Sequence, residues 1–126
     1  MILLAIALQL ISAPIIDWQP FPIQRTPDGG LYDRTSATRK GDVVNTWIRF
    51  VNMELKGVNG RGEQLDTHME VDCQKPRMRM LESRVVQSDG TVLKNTISGP
   101  SELGWHTMRI GMRGYDVRAG ICSRVR

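Results

Sequence analysis

The stretch QLDTHMEVDC, Gln64–Cys73, decides the fold of this chain because its apolar and polar residues alternate without interruption. Successive side chains of a β-strand point to opposite faces of the sheet, so this period of two creates one apolar and one polar face. Such a division is typical of a half-buried antiparallel strand. The apolar face holds Leu65, Thr67, Met69, Val71 and Cys73, and the polar face holds Asp66, His68, Glu70 and Asp72.

The segments on either side of this strand also have the composition of strands. Val43–Met53 is rich in β-branched and aromatic residues and has bulky residues on both faces, so we expect both faces to be at least partly covered. Arg77–Gln87 follows a predicted tight turn around Lys75-Pro76, and we expect Gln74 to pair with Arg77. This register places Cys73 opposite Met78, Val71 opposite Met80 and Asp72 opposite Arg79.

Two irregularities are predicted farther along the chain. Charged residues fall on the apolar side at Glu82-Ser83-Arg84, which indicates a bulge or a bend of the strand. Asp89-Gly90 is typical of a two-residue hairpin turn, and it would lead into a strand over Thr91–Ser98. With the short segments nearer the N-terminus, we expect an antiparallel meander of about five to six strands.

The C-terminal segment has a different period. Val117, Ile121 and Val125 recur every fourth residue, which predicts a helix over Tyr115–Val125 with these residues on its apolar face. The predicted fold class is therefore α+β, mainly β, with this helix packed on the sheet. Trp105–Ile110 before it is either a last strand or a tether.

The N-terminus predicts export. Residues 1–16 carry no charged side chain, and their apolar run is shorter than the roughly 20 residues that a transmembrane helix needs. Its length and composition suit a secretory signal. We expect residues 1–13 to be a signal peptide and residues 14–126 to be a single domain; an ordinary N-terminal strand or helix is the alternative.

The chain contains two cysteines, Cys73 and Cys122. Cys73 ends a strand on its apolar face, and Cys122 lies near the packing side of the predicted helix. In an oxidising compartment the two can form a disulfide, which would clamp the helix to the sheet. Two buried free thiols are the alternative.

The charge of the chain is uneven. Residues 1–73 contain seven basic and nine acidic residues, whereas residues 74–126 contain ten basic and four acidic ones. The basic second half favours an anionic partner, with affinity that falls steeply as salt is added, although a solvated arginine-rich face is the simpler alternative. Export and the small number of aromatic residues argue against nucleic acid. The predicted binding surface contains Arg77, Arg79, Arg113, Arg118 and Arg124.

The residues suited to chemistry form no catalytic or metal site. A zinc site would need Cys73, Cys122, His68 and His106 to converge, but His68 and Cys73 point to opposite faces of one strand. The polar row from Asp66 to Asp72 is expected to pair with Arg77 and Arg79, and no serine lies in a nucleophile elbow. We expect no metal and no cofactor, and we expect the three tryptophans to pack in the core or against the helix.

Short landmarks occur along the whole predicted domain in a characteristic order. They are Asp17-Trp18, Asp28–Asp33, Gly41–Val44 with Trp47, Val71–Cys73, Asp89–Val92, Trp105 and Ile121-Cys122. This order resembles the surface-adhesin protein E family of small exported bacterial proteins. The resemblance implies an antiparallel sheet with a C-terminal helix held on its concave face by a disulfide. Ile110–Arg113 departs from the family's Pro-Gly-containing turn, which leaves the start of the helix open.

The sequence as a whole predicts a small exported binding or envelope module without catalytic activity. Its location would be periplasmic, secreted or at the cell surface, and its partner an unknown protein or an anionic envelope component. Adhesion to host extracellular-matrix proteins is one alternative, although fold-level likeness does not carry that function. An envelope hydrolase that uses the Asp66–Asp72 face with His68 is another. The bulky faces of Val43–Met53 also predict a possible homodimer.

Overall fold

The computed structural model describes residues 16–23, 30–51, 64–87, 89–99 and 104–126, which form one antiparallel sheet and one helix. The predicted signal peptide, residues 1–13, lies outside the described residues. The elements are β1 Trp18–Phe21, β2 Gly30–Asp33, β3 Thr38–Lys40, β4 Val43–Phe50, β5 Gln64–Asp72, β6 Arg77–Val86, β7 Val92–Ile97, β8 His106–Thr107 and α1 Arg113–Arg124.

The strands follow the predicted meander. Six of them lie in the order β1-β2-β4-β5-β6-β7, while the short β3 pairs with β4 and the short β8 pairs with β6. The fold class is thus confirmed: it is mainly antiparallel β, with a C-terminal helix and a disulfide. β8 covers two residues near the start of Trp105–Ile110, the segment expected to be a last strand or a tether, and the helix begins two residues before the predicted Tyr115.

One face of the sheet, here called the inner face, carries the core. Alternate residues of β4 are buried, and they lie in register with apolar residues of β5 and β6. The helix packs on this face through Val117 and Ile121, and the third residue of the predicted period, Val125, is buried directly after the helix ends. The buried core contains Phe21, Ile23, Tyr32, Val44, Ile48, Phe50, Val71, Met78, Val117, Ile121 and Val125.

Two contacts hold the helix to the end of β5. Cys73 and Cys122 form a disulfide with a Cα–Cα distance of 5.7 Å. One turn earlier on the helix, Arg118 donates to the carbonyl oxygens of Asp72 at 2.7 Å and of Cys73 at 2.9 Å. The predicted clamp between the helix and the sheet is therefore present, and Arg118 reinforces it.

The predicted register between β5 and β6 is wrong by two residues. Asp72 pairs with Arg77 and Val71 with Met78, so Arg79 lies opposite Glu70. The backbone N–H groups of Gln74 and Lys75 both donate to Asp72 Oδ1 at 2.9 Å. The Asp72 carboxylate thus organises a longer turn, because an Asp side chain can bond its own backbone two or three residues on.

The two predicted irregularities are present in altered form. The register between β5 and β6 shifts next to Leu81, immediately before the predicted bulge at Glu82. The turn into β7 is longer than predicted, since the Gln87 N–H donates to the Thr91 carbonyl oxygen at 2.8 Å. The Gln87–Thr91 bond encloses three residues rather than the predicted two. Within this turn Gly90 has a φ of +92°, a value that glycine adopts without strain.

Candidate functional site on the outer face of the sheet

The face opposite the helix, here called the outer face, carries the polar row that sequence predicted. Asp66, His68, Glu70 and Asp72 of β5 alternate with the residues that face the core. The single helix of the described chain lies on the inner face, so no second layer packs on the outer one within the described ranges.

Three arginines of the outer face pair with carboxylates directly across the strands. Arg49 donates to both oxygens of Asp66, with both distances 2.7 Å. Arg77 lies 2.8 Å from Asp72 Oδ2, and Arg79 lies 2.8 Å from Glu70 Oε1. The pairing of the polar row with Arg77 and Arg79 is confirmed, although Asp72 pairs with Arg77 and not, as predicted, with Arg79. Cross-strand pairs of this kind fix the side chains on the sheet.

The tryptophans lie against arginines of the outer face and not in the core. The Arg49 guanidinium lies 4.3 Å from the Trp18 ring centroid, and Arg84 lies 4.1 Å from that of Trp47. Trp105 contacts both Arg77 and Arg79 at 4.5 Å. The expectation of core tryptophans is therefore wrong. Cation–π stacking over an indole keeps these planar groups in fixed positions on a half-exposed surface.

His68 is held between two neighbours on β4. Its ring stacks on Trp47 with the centroids 5.0 Å apart and the planes 14° from parallel. Its Nε2 donates to Asn45 Oδ1 at 2.6 Å. Burial lowers the pKa of His68, and the charge of Arg84 lowers it further, although Glu82 and Glu70 act in the opposite direction. Burial therefore favours the neutral form of His68, and the bond to Asn45 Oδ1 favours the tautomer that carries its proton on Nε2.

A cleft of about 270 Å³ opens between the N-terminal segment and the outer face. We call it the Trp47–Arg84 cleft. Two indole rings give it apolar walls, while a hydroxyl, two carboxylates and a guanidinium give it polar groups. Its lining consists of Ile16, Trp18, Asp33, Ser36, Trp47, Asp66 and Arg84.

Both carboxylates of the cleft are already bonded. Asp66 is paired with Arg49, as described above. Asp33 Oδ1 accepts the backbone N–H groups of Asp17 at 3.0 Å and Thr35 at 3.1 Å, and the Thr35 hydroxyl at 2.7 Å. Burial alone would raise the pKa of Asp33, but these hydrogen bonds and one from the Ser36 side chain together lower it. The acidic groups thus hold the cleft walls in place.

Arg84 differs from the other arginines of the outer face. Its Nε is buried and is the only such side-chain nitrogen or oxygen among the described residues that has no hydrogen-bond partner. Among the described residues, the carboxylate oxygen nearest to it is Oε1 of Glu82 at 4.0 Å, which is too far for a hydrogen bond. Asp66 lies directly opposite Arg84 in the sheet, but both of its oxygens are occupied by Arg49. Arg84 is therefore the arginine of the cleft whose N–H groups are not all paired with described residues.

The five arginines of the predicted binding surface do not lie on one face. Arg77 and Arg79 are on the outer face and are paired with carboxylates. The other three belong to the helix on the opposite side. Arg118 is engaged with backbone carbonyls, Arg113 lies 4.9 Å from the Phe50 ring centroid, and Arg124 is exposed.

The sequence did not indicate Arg84 or Trp47 as site residues, and it indicated His68 only for the hydrolase alternative and not for its stacking on Trp47. A usable signal was present, since Trp47 shares its strand parity with Asn45 and Arg49 and not with the buried Val44 and Ile48. The described residues contain no cluster of three or more His, Cys, Asp or Glu side chains suited to a metal ion. In the described ranges, no helix has the length and apolar character needed to cross a membrane.

Comparison with family models finds no match, and the searches of curated proteins and of solved structures find none either. The resemblance to the surface-adhesin protein E family therefore stays a prediction.

Proposed function

We propose that this chain is an exported, disulfide-stabilised binding module without catalytic activity, and that it binds a carboxylate-bearing ligand in the Trp47–Arg84 cleft. One observation carries the proposal: Arg84 lines an open cleft and is stacked on Trp47, its side chain is 38% exposed, and the carboxylate paired with it among the described residues, that of Glu82, is 4.0 Å away.

The chemistry of the cleft favours a ligand that combines an apolar ring face with a negative charge. Trp18 and Trp47 offer flat apolar surfaces, and the Ser36 hydroxyl, which already donates to the Asp33 carboxylate, can accept a further hydrogen bond. A guanidinium binds a carboxylate through charge-assisted hydrogen bonds, which are stronger than neutral ones. A volume of about 270 Å³ is at the small end of ligand sites. An acidic sugar of an envelope glycan meets all of these requirements.

The state of the polar row favours binding over hydrolysis. Asp66, Glu70 and Asp72 each accept hydrogen bonds from an arginine, which holds them as structural anions. His68 donates its Nε2 proton to an amide oxygen and has no bonded carboxylate partner among the described residues. A general acid or base needs a pKa near the working pH and access to the reacting proton, and the burial of His68 shifts its pKa away from neutrality.

The proposed binding is tested by tryptophan fluorescence during titration with a hyaluronan tetrasaccharide, which carries carboxylates, and in parallel with neutral chitotetraose. We expect saturable quenching by the acidic sugar and a much smaller response to the neutral one. Arg84→Gln should weaken binding of the acidic sugar by at least about tenfold, because a hydrogen bond to a charged group contributes about 1.5–3 kcal/mol.

Arg124→Gln is the matched control, since it removes the same charge from the exposed end of the helix on the opposite side of the sheet. It should leave the affinity unchanged. Equal weakening by both substitutions would show that net charge and not the cleft drives binding. Urea unfolding of each variant checks that the fold is intact. No response to either sugar would remove the acidic-glycan proposal.

Export is tested separately by the intact mass of the unreduced protein purified from its native host. We expect a mass that lacks the predicted N-terminal signal and two hydrogens. A full-length, reduced protein would contradict export and would return the basic second half to nucleic-acid candidates.

A further inference from the structure

Among the described strands, β7 is an edge of the sheet. It ends the strand order, and β6 is its only partner among the described strands. All six of its residues are exposed, so neither face is covered by the helix or by another described element. Apolar side chains lie along it, and Ile97 is 73% exposed. A strand with unpaired backbone groups and exposed apolar residues is a template for pairing with another chain.

The hydrogen-bond pattern shows which backbone groups of β7 face outward. The Ser98 N–H donates to the Leu81 carbonyl oxygen at 2.9 Å. Antiparallel pairs alternate between hydrogen-bonded and non-bonded residues, so Thr96 and Lys94 bond to β6 while Asn95 and Ile97 direct their N–H and C=O groups away from it. The free edge therefore offers the backbone groups of Asn95 and Ile97.

We propose that a second copy of this chain pairs with this edge, antiparallel and with a two-fold axis at Asn95. The two-fold axis must lie midway between the two copies of a residue whose backbone groups face outward. Of the residues that meet this condition, Asn95 lies nearest the centre of Val92–Ile97. Each Asn95 would then exchange two N–H···O=C bonds with its counterpart. Next to the axis, Lys94 meets the second copy's Thr96. Farther out, the second copy's Ile97 lies beside the apolar Leu93, which is the unpaired residue of a β-bulge in β7. No like charges face each other directly.

The symmetry of this pairing has a functional consequence. Two identical strands that pair antiparallel in one sheet are related by a two-fold axis perpendicular to the sheet, so both outer faces point the same way. If the proposed function holds, the dimer presents two Trp47–Arg84 clefts on one side. Such an arrangement would bind a repetitive glycan with higher avidity than either cleft alone. The dimer itself does not depend on that function.

Sedimentation velocity of the oxidised protein between about 1 and 500 µM, the range suited to small interfaces, tests the pairing. We expect the mean mass to approach twice that of the monomer as concentration rises. Ile97→Lys should raise the dissociation constant by at least about tenfold, because it buries a charge in an apolar pair. Ile110→Lys is the control, since Ile110 is 83% exposed but lies outside β7, and it should leave the mass unchanged.

Asn95→Pro makes the test independent of charge. Proline is tolerated on an edge strand where the N–H faces away from the sheet, so the monomer should fold while the dimer is lost. Asn95→Cys should form an intermolecular disulfide under mild oxidation, because hydrogen-bonded antiparallel partners lie about 5.5 Å apart. A monomer at every concentration would overturn the proposal. So would a dimer that survives both Ile97→Lys and Asn95→Pro, since it would have to use another surface.

Discussion

Removal of the Cys73–Cys122 disulfide is the most direct test of how the helix is held to the sheet. The bridge joins residues 49 positions apart in the sequence. In the chain-entropy model, a loop of this length restricts the unfolded chain enough to stabilise the native state by about 4 kcal/mol. Since small domains have total stabilities of about 5–15 kcal/mol, the bridge would supply a large share of the free energy of unfolding.

The structure also indicates what remains after the bridge is removed. Arg118 still donates to the carbonyl oxygens of Asp72 and Cys73, and Val117 and Ile121 still pack in the core. We therefore expect Cys73→Ser/Cys122→Ser to keep its fold and to lose close to the full entropic contribution. Adding Arg118→Met should then lower the stability by more than the same substitution does in the oxidised protein, because both contacts hold the same helix.

Urea unfolding followed by tryptophan fluorescence measures these differences. The oxidised protein should be the most stable of the three samples. The same protein with reductant and the double serine variant should both unfold at lower urea concentrations, and their curves should coincide. Reductant should not affect the serine variant. A loss below about 1 kcal/mol would refute the loop-entropy argument, which requires several times that value. A lost unfolding transition would show that the core and Arg118 do not suffice to hold the fold.

Four further substitutions test single features of the fold. Asp72→Asn should lower the free energy of unfolding by about 2 kcal/mol at pH 7. Burial raises the pKa of Asp72, but the hydrogen bonds from the turn and from Arg77 together lower it. The difference in urea midpoint between the wild type and Asp72→Asn should therefore shrink as pH falls through that pKa. Gly120→Ala should destabilise by about 2 kcal/mol because its Cβ would overlap the Pro22 carbonyl oxygen, whereas Gly114→Ala would meet only a flexible side chain. Wild-type stability should fall as pH drops below about 6.5, since burial lowers the pKa of His68, and His68→Gln should remove that part of the loss.

Alternation and period made most of the fold predictable. The polar and apolar faces of Gln64–Cys73 are those of β5, and the period of four identified Val117, Ile121 and Val125 as the packing face of the helix. These patterns follow from backbone geometry, which fixes where each side chain points. The disulfide followed in turn, because it joins the ends of two elements whose faces were already assigned.

The register and the site were less predictable because they depend on interactions that no period encodes. A shift of two residues between β5 and β6 keeps every side chain on the same face, so the apolar pattern fits both registers equally well. The bonds from Gln74 and Lys75 to Asp72 favour the observed turn. Likewise, Trp47 was expected in the core on grounds of hydrophobicity, whereas stacking with Arg84 gives it a favourable place on the outer face.

The distribution of charge in the structure revises the expected salt dependence of binding. The net charge is +4, but Arg49, Arg77 and Arg79 on the outer face are each paired with a carboxylate. A ligand in the cleft would therefore meet one incompletely paired guanidinium, that of Arg84. Because salt screens a single partly buried charge only weakly, affinity should fall by about threefold between 50 and 500 mM salt and not steeply. A fall of about a hundredfold would require several exposed charges at once, and it would locate binding on the helix side, where Arg113 and Arg124 are exposed.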